Sequence, residues 1–312
     1  MPKKLSLKGR DLLAMSDLST PEIELILKTA RTIKKNPKKY SSALKGKNLG
    51  MIFQKPSTRT RVSFEVAMYQ LGGQALNLTS NELQLKRGET VADTARVLSR
   101  FLDAMTARVF SHNDVLDLAK YGTIPVINAL SDYEHPCQAL ADLLTILEHK
   151  KTLKNIKTVY VGDGNNVAHS LALAVVQMGG YIEVATPKGY EMQDSLIATA
   201  QKIGKQTGGK LVLSYNAQDT ATQADVIYVD VWTSMGQEEE HKKRLADFQG
   251  FQINSDLLAR AKKDCIVMHC LPAHRGEEIT DEVVDGPNSV VWDQAENRLH
   301  AQKALLYLVL GK

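Results

Sequence analysis

Leu49-Gly50-Met51-Ile52-Phe53, the polar run Gln54-Lys55-Pro56-Ser57-Thr58-Arg59 and the segment from Thr60 to Leu71 form the stretch on which the fold turns. The short apolar run reads as a buried strand and the long segment after it as a helix, stopped by Gly72-Gly73. Working outward, this strand-loop-helix unit recurs. Gln74 to Leu78, Ala104 to Phe110 and Ile124 to Leu130 read as strands, with helical stretches at Thr90 to Phe101 and Val115 to Tyr121 between them. Upstream, Ser19-Thr20-Pro21-Glu22 opens a helix with a hydroxyl cap and a proline in its first turn, and Ile23, Ile26, Leu27, Ala30 and Ile33 line one face of it. Downstream, a helix from Pro136 to about Lys150 and the polar segment Lys150 to Asn155 separate a second series of strands: Lys157 to Val161, Tyr181 to Thr186, Leu211 to Tyr215, Val226 to Val231 and Ile266 to His269. Alternation at this length predicts an α/β fold of two doubly wound, Rossmann-like parallel-sheet domains, residues 1–150 and 151–312, linked by interdomain helices. The last helix, about 297–310, is expected to pack back on the first domain.

Length and composition agree with two ordinary globular cores. At 312 residues the chain exceeds the size at which a single core usually stops growing, and 43% apolar with 24% charged residues excludes a disordered chain. Apolar runs such as Leu171 to Met178 fall well short of the roughly 18 residues a membrane helix needs, and the N-terminus carries no secretory pattern, so a cytoplasmic location and no membrane partner are expected. Cys137, Cys265 and Cys270 form an odd set with no zinc-like spacing, which predicts neither structural disulfides nor metal. A net charge of +4 is spread over 39 basic and 35 acidic residues with 6% aromatics; nucleic acid is therefore not expected, while small anionic substrates are compatible.

Two motifs fall where anions bind. Pro56-Ser57-Thr58-Arg59-Thr60-Arg61 follows a strand and heads a helix, where free N–H groups, the helix dipole, hydroxyls and a guanidinium suit tetrahedral oxygens. A capped surface helix with solvated arginines is the bland alternative. His135-Pro136-Cys137-Gln138 enters the next long helix, so that His135 can donate to a carbonyl oxygen and Gln138 can accept from an amide, with Cys137 packed inward; an exposed histidine beside a cap is the competing account.

Further motifs close strands in the second half. Gly162-Asp163-Gly164-Asn165-Asn166-Val167 sits where a dinucleotide fingerprint would, but its third glycine position is Val167 and the next strand ends without the ribose-binding acid. A nicotinamide-dependent oxidoreductase is thus a poor second reading, and Asn165 and Asn166 instead offer amides to a polar headgroup. Asp230, the acid after Val226 to Val229, suits an ammonium group or caps the next turn. Cys270, in His269-Cys270-Leu271-Pro272, is either a small buried hydrophobe or a functional thiol.

Taken together, FQKPSTRTRVSFE (53–65), HPCQALADLLT (135–145), DVWTSMG (230–236) and HCLPAHRGEE (269–278) resemble the motif set of the aspartate/ornithine carbamoyltransferase family, over a similarity running from about Leu12 to Leu308. The first two motifs are shared by both branches; the last two resemble the ornithine branch. Gln54 stands where an acid is frequent in the family. The resemblance implies a carbamoyl phosphate-binding first domain and an ornithine-binding second one. It implies that Ser57, Thr58, Arg59, Thr60 and Arg108 hold phosphate, with Arg108 and His135 near the carbamoyl oxygen. Gln138 and the carbonyls of Cys270 and Leu271 would accept from the carbamoyl NH₂ beside Arg298, with Pro136 and Cys137 in the same set. Gln84 would reach in from a neighbouring subunit of a homotrimer or a multiple of trimers. Asn166, Asp230, Ser234 and Met235 would grip L-ornithine, with Cys270 beside its δ-amine.

The implied chemistry, direct attack of a neutral amine on the carbamoyl carbon, needs no cofactor and no metal; Arg108, His135, Cys270 and Asp230 are its expected catalytic residues. Putrescine or aspartate as acceptor, and a non-catalytic Rossmann-like binding protein, stay in play. Putrescine lacks the carboxylate that Asn166 and Ser234-Met235 would bind, and aspartate would call for extra cations in place of Asp230.

Overall fold

The computed structural model describes residues 5–80, 82–84, 88–234 and 236–311. The chain divides into two compact units, one of Met1–Leu144 with Asn297–Lys312 and one of Thr145–Glu296. In the first unit, β1 (Asn48–Phe53), β2 (Gln74–Thr79), β3 (Ala104–Arg108) and β4 (Val126–Leu130) form an all-parallel sheet in the order β2-β1-β3-β4. Its helices are α1 (Thr20–Lys35), α2 (Thr58–Gln70), α3 (Val91–Leu98) and α4 (His112–Tyr121), followed by α5 (Pro136–Lys150). In the second unit, β5 (Lys157–Val161), β6 (Tyr181–Ala185), β7 (Lys210–Ser214), β8 (Val226–Val229) and β9 (Ile266–His269) are again all parallel, in the order β7-β6-β5-β8-β9. Between and after them run α6 (Asn166–Gln177), α7 (Asp194–Thr207), α8 (Ala217–Ala221), α9 (His241–Asp247), α10 (Ser255–Leu258), α11 (Asp281–Val284) and α12 (Val291–Leu310). The doubly wound parallel architecture is the one the strand-helix alternation predicts.

Both sheets are covered by helices, which is why their central strands carry no polar face. In β1 every residue after Asn48 is buried, and Ile52 packs with Met105, Ala107, Val115, Leu118 and Val126. A side chain on Gly50 would meet Leu102 Cδ1 at 2.4 Å, so glycine is what lets Leu102 lie over the strand. In the second unit Val159, Val161, Ile227, Val229 and Val267 build the core with Trp232, Phe248 and Ile253. No helix among the described residues is long and apolar enough to cross a membrane.

Two departures from the sequence reading matter. The last helix begins at Val291, six residues before the expected Asn297, because no glycine or proline interrupts 291–296. The division between the compact units falls inside α5 and inside α12, at 144/145 and 296/297, where the helical hydrogen bonds run on unbroken.

The strand orders place one switch point in each sheet, between β1 and β3 in the first and between β5 and β8 in the second. At such points successive connections leave toward opposite faces, and the carboxyl ends of the two strands open a crevice.

The helix α2 that rises from the first crevice is closed by Gly72, whose φ of +84° belongs to the left-handed region. A Cβ there would stand 2.6 Å from the backbone oxygen of Ser41. Gly72→Ala is therefore expected to lower stability by more than about 1 kcal/mol in chemical denaturation, since both the conformation and the space are wrong for a side chain.

Candidate functional site

In the first unit the functional residues gather at the carboxyl edge of β1, β3 and β4. Ser57 caps α2, its hydroxyl accepting from the Thr60 N–H at 3.2 Å. Thr58 is exposed, Arg59 half-buried and Thr60 fully buried. Arg108 ends β3 at a register shift between Ala107 and Arg108 against β4. A bulge of this kind re-aims the side chain that follows it. Gln54 ties the loops after β1 and β3 together: its amide donates to Asp114 Oδ2 at 2.7 Å and its oxygen accepts from the Phe110 N–H at 3.0 Å. That role had no signal in the sequence beyond an unusual glutamine.

His135 and Gln138 enter α5 buried, at 4% and 2% exposure. Burial pushes the His135 imidazole well below its ordinary pKa, and the positive charges of Arg298, Arg108 and Arg59 push it further the same way. It is therefore a neutral hydrogen-bonding group. Gln138 Oε1 accepts from Arg298 Nη1 at 2.6 Å, while the other Arg298 nitrogen, Nη2, donates to Thr60 Oγ1 at 3.2 Å. Gln138 in turn donates from Nε2 to Asp142 Oδ1 at 2.8 Å. One guanidinium thus joins the two sequence motifs. Cys137 is packed inward, donating to the carbonyl of Asn128 at 3.4 Å, with its thiol pushed up to about 12 by burial; Pro136 is buried at the first position of the helix. Gln84, by contrast, is exposed on the loop after β2, and no hydrogen bond among the described residues ties its side chain to this cluster.

In the second unit the loops after β5, β8 and β9 supply the site. Gly164 is required by packing: a Cβ would lie 2.4 Å from the Met192 N–H nitrogen. Asn165 caps α6, its Oδ1 accepting from the N–H groups of Val167 at 2.9 Å and Ala168 at 3.2 Å. Its amide nitrogen donates to Asp230 Oδ2 at 2.8 Å, and the thiol of Cys270 donates to Asp230 Oδ1 at 2.9 Å. The expectation that Asn165 offers its amide to a headgroup is thereby corrected: both ends of that amide are engaged within the protein. Asn166, at the first turn of α6, is half-buried.

Asp230 is 6% exposed, and its hydrogen-bond donors are an amide and a thiol, neither charged. Beside it, burial raises Asp163 to about 6, against the pull of Arg244, which donates to Asp163 Oδ2 at 2.8 Å and to the carbonyl of Trp232 at 2.9 Å. Arg244 so anchors the segment that carries Ser234, whose N–H donates to Gln237 Oε1 at 3.0 Å. Met235 lies outside the described residues. After β9, Leu271 adopts φ +58° next to a cis Leu271–Pro272 bond, and its N–H donates to His269 Nδ1 at 2.8 Å. The other imidazole nitrogen, Nε2, lies 3.1 Å from Glu278 Oε1, with both side chains completely buried. Asp163, Arg244 and Glu278 escaped sequence reasoning because their partners lie far along the chain or across a turn.

Chemically, the first unit offers an anion cradle of hydroxyls and guanidiniums around a neutral imidazole, and the second offers a shielded carboxylate for a cation. The family model described as "Aspartate/ornithine carbamoyltransferase, carbamoyl-P binding domain" matches residues 10–148, and that described as "Aspartate/ornithine carbamoyltransferase, Asp/Orn binding domain" matches residues 154–309. The chain is 60% identical over 309 residues to the anabolic ornithine carbamoyltransferase of Pyrococcus furiosus, covering 98% of each chain. It is 53% identical over 311 residues to the ornithine carbamoyltransferase of Listeria monocytogenes, covering 99% of this chain and 98% of the other. The solved ornithine carbamoyltransferase of Pyrococcus furiosus superposes with a TM-score of 0.95 at 59% identity and 98% coverage of both chains, and that of Thermus thermophilus with 0.87 at 44%, over 96% of this chain and 98% of that one.

The neutral His135 sets an observable. Its imidazole should show no protonation by NMR as pH falls to about 5, the lower end of the range in which ordinary histidines charge. Unfolding frees the imidazole to protonate, so the unfolded chain binds more protons below its ordinary pKa of about 6.5 and His135's contribution to stability falls as pH drops through that value. A normal titration of His135 in the folded protein contradicts its burial beside the arginine cluster. Matching motifs, matching architecture and full-length similarity agree that the chain belongs to the aspartate/ornithine carbamoyltransferase family.

Proposed function

We propose that this protein transfers the carbamoyl group of carbamoyl phosphate to the δ-amine of L-ornithine, giving L-citrulline and phosphate. The observation that carries the reading is the presence in one chain of three guanidiniums acting on a buried neutral histidine and of a shielded carboxylate held by uncharged donors. The first suits a phosphate and a carbonyl oxygen; the second suits an ammonium group. Relatives at 60% identity named for ornithine support that acceptor over aspartate or putrescine.

On this reading the first unit takes the donor. Ser57, Thr58, Arg59, Thr60 and Arg108 bind phosphate, and Arg108 and His135 polarise the carbamoyl oxygen. Gln138, oriented by Arg298, accepts from the carbamoyl NH₂ together with the carbonyls of Cys270 and Leu271. The second unit takes the acceptor through Asn166, Asp230, Ser234 and Met235, with Cys270 at the amine. The neutral amine attacks the carbamoyl carbon, a tetrahedral intermediate forms, and the carbon–oxygen bond to phosphate breaks as the amine gives up its proton. Cations around the oxygen and the departing phosphate stabilise the charge that grows there.

A colorimetric assay of ureido product, run with carbamoyl phosphate and each of ornithine, aspartate and putrescine, tests the acceptor; turnover with ornithine alone is expected. In the same assay Arg59→Ala should weaken carbamoyl phosphate binding and slow turnover together, whereas Asp230→Asn should damage ornithine use and leave carbamoyl phosphate affinity, measured by calorimetry, nearly intact. Equal loss of carbamoyl phosphate affinity in the two variants would refute the division of labour.

The active assembly proposed is a homotrimer, or a multiple of trimers, in which Gln84 serves a neighbour's site. A polar loop, exposed in the single chain at Gln84, gains a role when a head-to-tail contact repeats around a ring. Gln84→Ala and Cys270→Ala chains, each folded and nearly inactive, should regain activity when unfolded together in equal amounts and refolded. Random trimers then pair an intact Gln84 with an intact Cys270 at about a quarter of the sites. Mixed trimers that stay as inactive as their parents would show that each chain completes its own site.

A further inference from the structure

We infer that His274, Glu277 and Glu278 form a binding site for a divalent ion of the zinc class, separate from the residues assigned to carbamoyl transfer. They sit on the tight turn after Pro272, where the Glu277 N–H donates to the His274 carbonyl at 3.0 Å and the Gly276 N–H to the Ile279 carbonyl at 2.9 Å. One ligand atom from each side chain lies within 4.8 Å of the other two. These atoms, His274 Nδ1, Glu277 Oε2 and Glu278 Oε2, are each buried and without a hydrogen-bond partner.

Glu278 makes the case sharpest. Its side chain has no exposed surface, and both of its protein hydrogen bonds fall on Oε1, one from the His274 N–H at 2.6 Å and one with His269 Nε2 at 3.1 Å. Oε2 is left aimed at His274 Nδ1, 3.9 Å away, and Glu277 Oε2 stands 3.7 Å from the same nitrogen. Those separations are too long for hydrogen bonds. Both are close to the about 3.4 Å between ligand atoms around a tetrahedral ion with bonds of about 2.1 Å, so small rotamer adjustments would bring each carboxylate to an ion shared with that nitrogen. Among the described residues the ion-pair partners of Glu277 and Glu278 are His241, His269 and His274 alone, with no lysine or arginine. Two adjoining carboxyl groups, one of them wholly buried, thus have only histidines as ion-pair partners, and a divalent cation would supply the positive charge and the ligand bonds that their unpartnered oxygens lack. Imidazole with two carboxylates suits zinc better than calcium or magnesium, which take oxygen ligands. His269 on Glu278 and His241 Nε2, 3.6 Å from Glu277 Oε1, stand where outer groups orient ligating carboxylates.

The triad Asp230, His269 and Cys270 is equally compact. Its imidazole has no lone pair to spare, since Nδ1 accepts from the Leu271 N–H and Nε2 faces Glu278. His274-x-x-Glu277-Glu278 shows no zinc-like spacing of cysteines and histidines, because two of its three ligands are carboxylates.

The test uses the full-length chain as Cys270→Ser, which removes the thiol of the other triad, stripped with chelator and dialysed against zinc chloride. Bound metal per chain is measured by elemental analysis, and cobalt(II) substitution is followed by visible absorption. One tightly held equivalent is expected in Cys270→Ser, with affinity lost by about 100-fold or more on adding His274→Ala and reduced on adding Glu277→Gln. Glu277→Gln, at a partly exposed side chain, serves alone if His274→Ala does not fold. No zinc uptake by Cys270→Ser, or unchanged affinity in either folded double variant, overturns the assignment. These readouts are independent of carbamoyl transfer, so their failure is distinguishable from failure of the proposed function.

Discussion

A parallel sheet delivers every strand's carboxyl end to one edge, and the point where the winding reverses leaves a gap there that helices do not cover. Everything chemical in this chain depends on that constraint. In the order β2-β1-β3-β4 the gap lies between the loops that begin at Gln54 and Val109, and in β7-β6-β5-β8-β9 between those that begin at Gly162 and Asp230. The cores beneath are apolar, with Ile52, Met105 and Val126 in one unit and Val159, Ile227 and Val267 beside Trp232 and Phe248 in the other. Such cores hold the strand ends still without contributing a functional atom. Polar residues can then be spent at the edge, where N–H groups left over by each helix start supply donors.

The two edges solve opposite electrostatic problems. Around His135, burial first and three guanidiniums after it disfavour a positive charge on the imidazole, so the histidine stays neutral as a hydrogen-bonding group. The same cations that suit an anion reinforce that neutrality. Around Asp230 the donors are uncharged, Asn165 and Cys270, and Arg244 is committed to Asp163 and the Trp232 carbonyl. A carboxylate satisfied by neutral donors keeps its charge available to a cation, whereas a direct arginine partner would cancel it.

The legible part of this structure was written in local patterns. Leu49 to Phe53 reads as a buried strand because only burial on both faces tolerates such a run, and Gly72 reads as a stop because the helix there must turn through a left-handed residue. Motif positions followed, since Ser57 and His135 stand at helix entries. Strand order did not follow: nothing in Gln74 to Leu78 says that it pairs beside β1 on the side away from β3, because pairing is decided by packing across the sheet. Contacts between distant segments were equally hidden. Gln54 meets Asp114, and Asp163 meets Arg244, across 60 and 81 residues. Asn165 was misread for a related reason: an amide after a strand looks available until the acid that occupies it, Asp230 just after β8, is folded next to it.

The caps tie stability to chemistry most directly. Ser57 starts α2 and, in the same act, fixes where Arg59 and Thr60 stand; Asn165 starts α6 with its oxygen and holds Asp230 with its nitrogen. A cap that is only structural can be exchanged among serine, threonine, aspartate and asparagine at small cost. Asn165 cannot be so exchanged, because aspartate would set a second negative charge against Asp230 and serine has no second arm to reach it. The same amide therefore carries two requirements, a helix start and an oriented carboxylate, and of the common capping residues asparagine meets both.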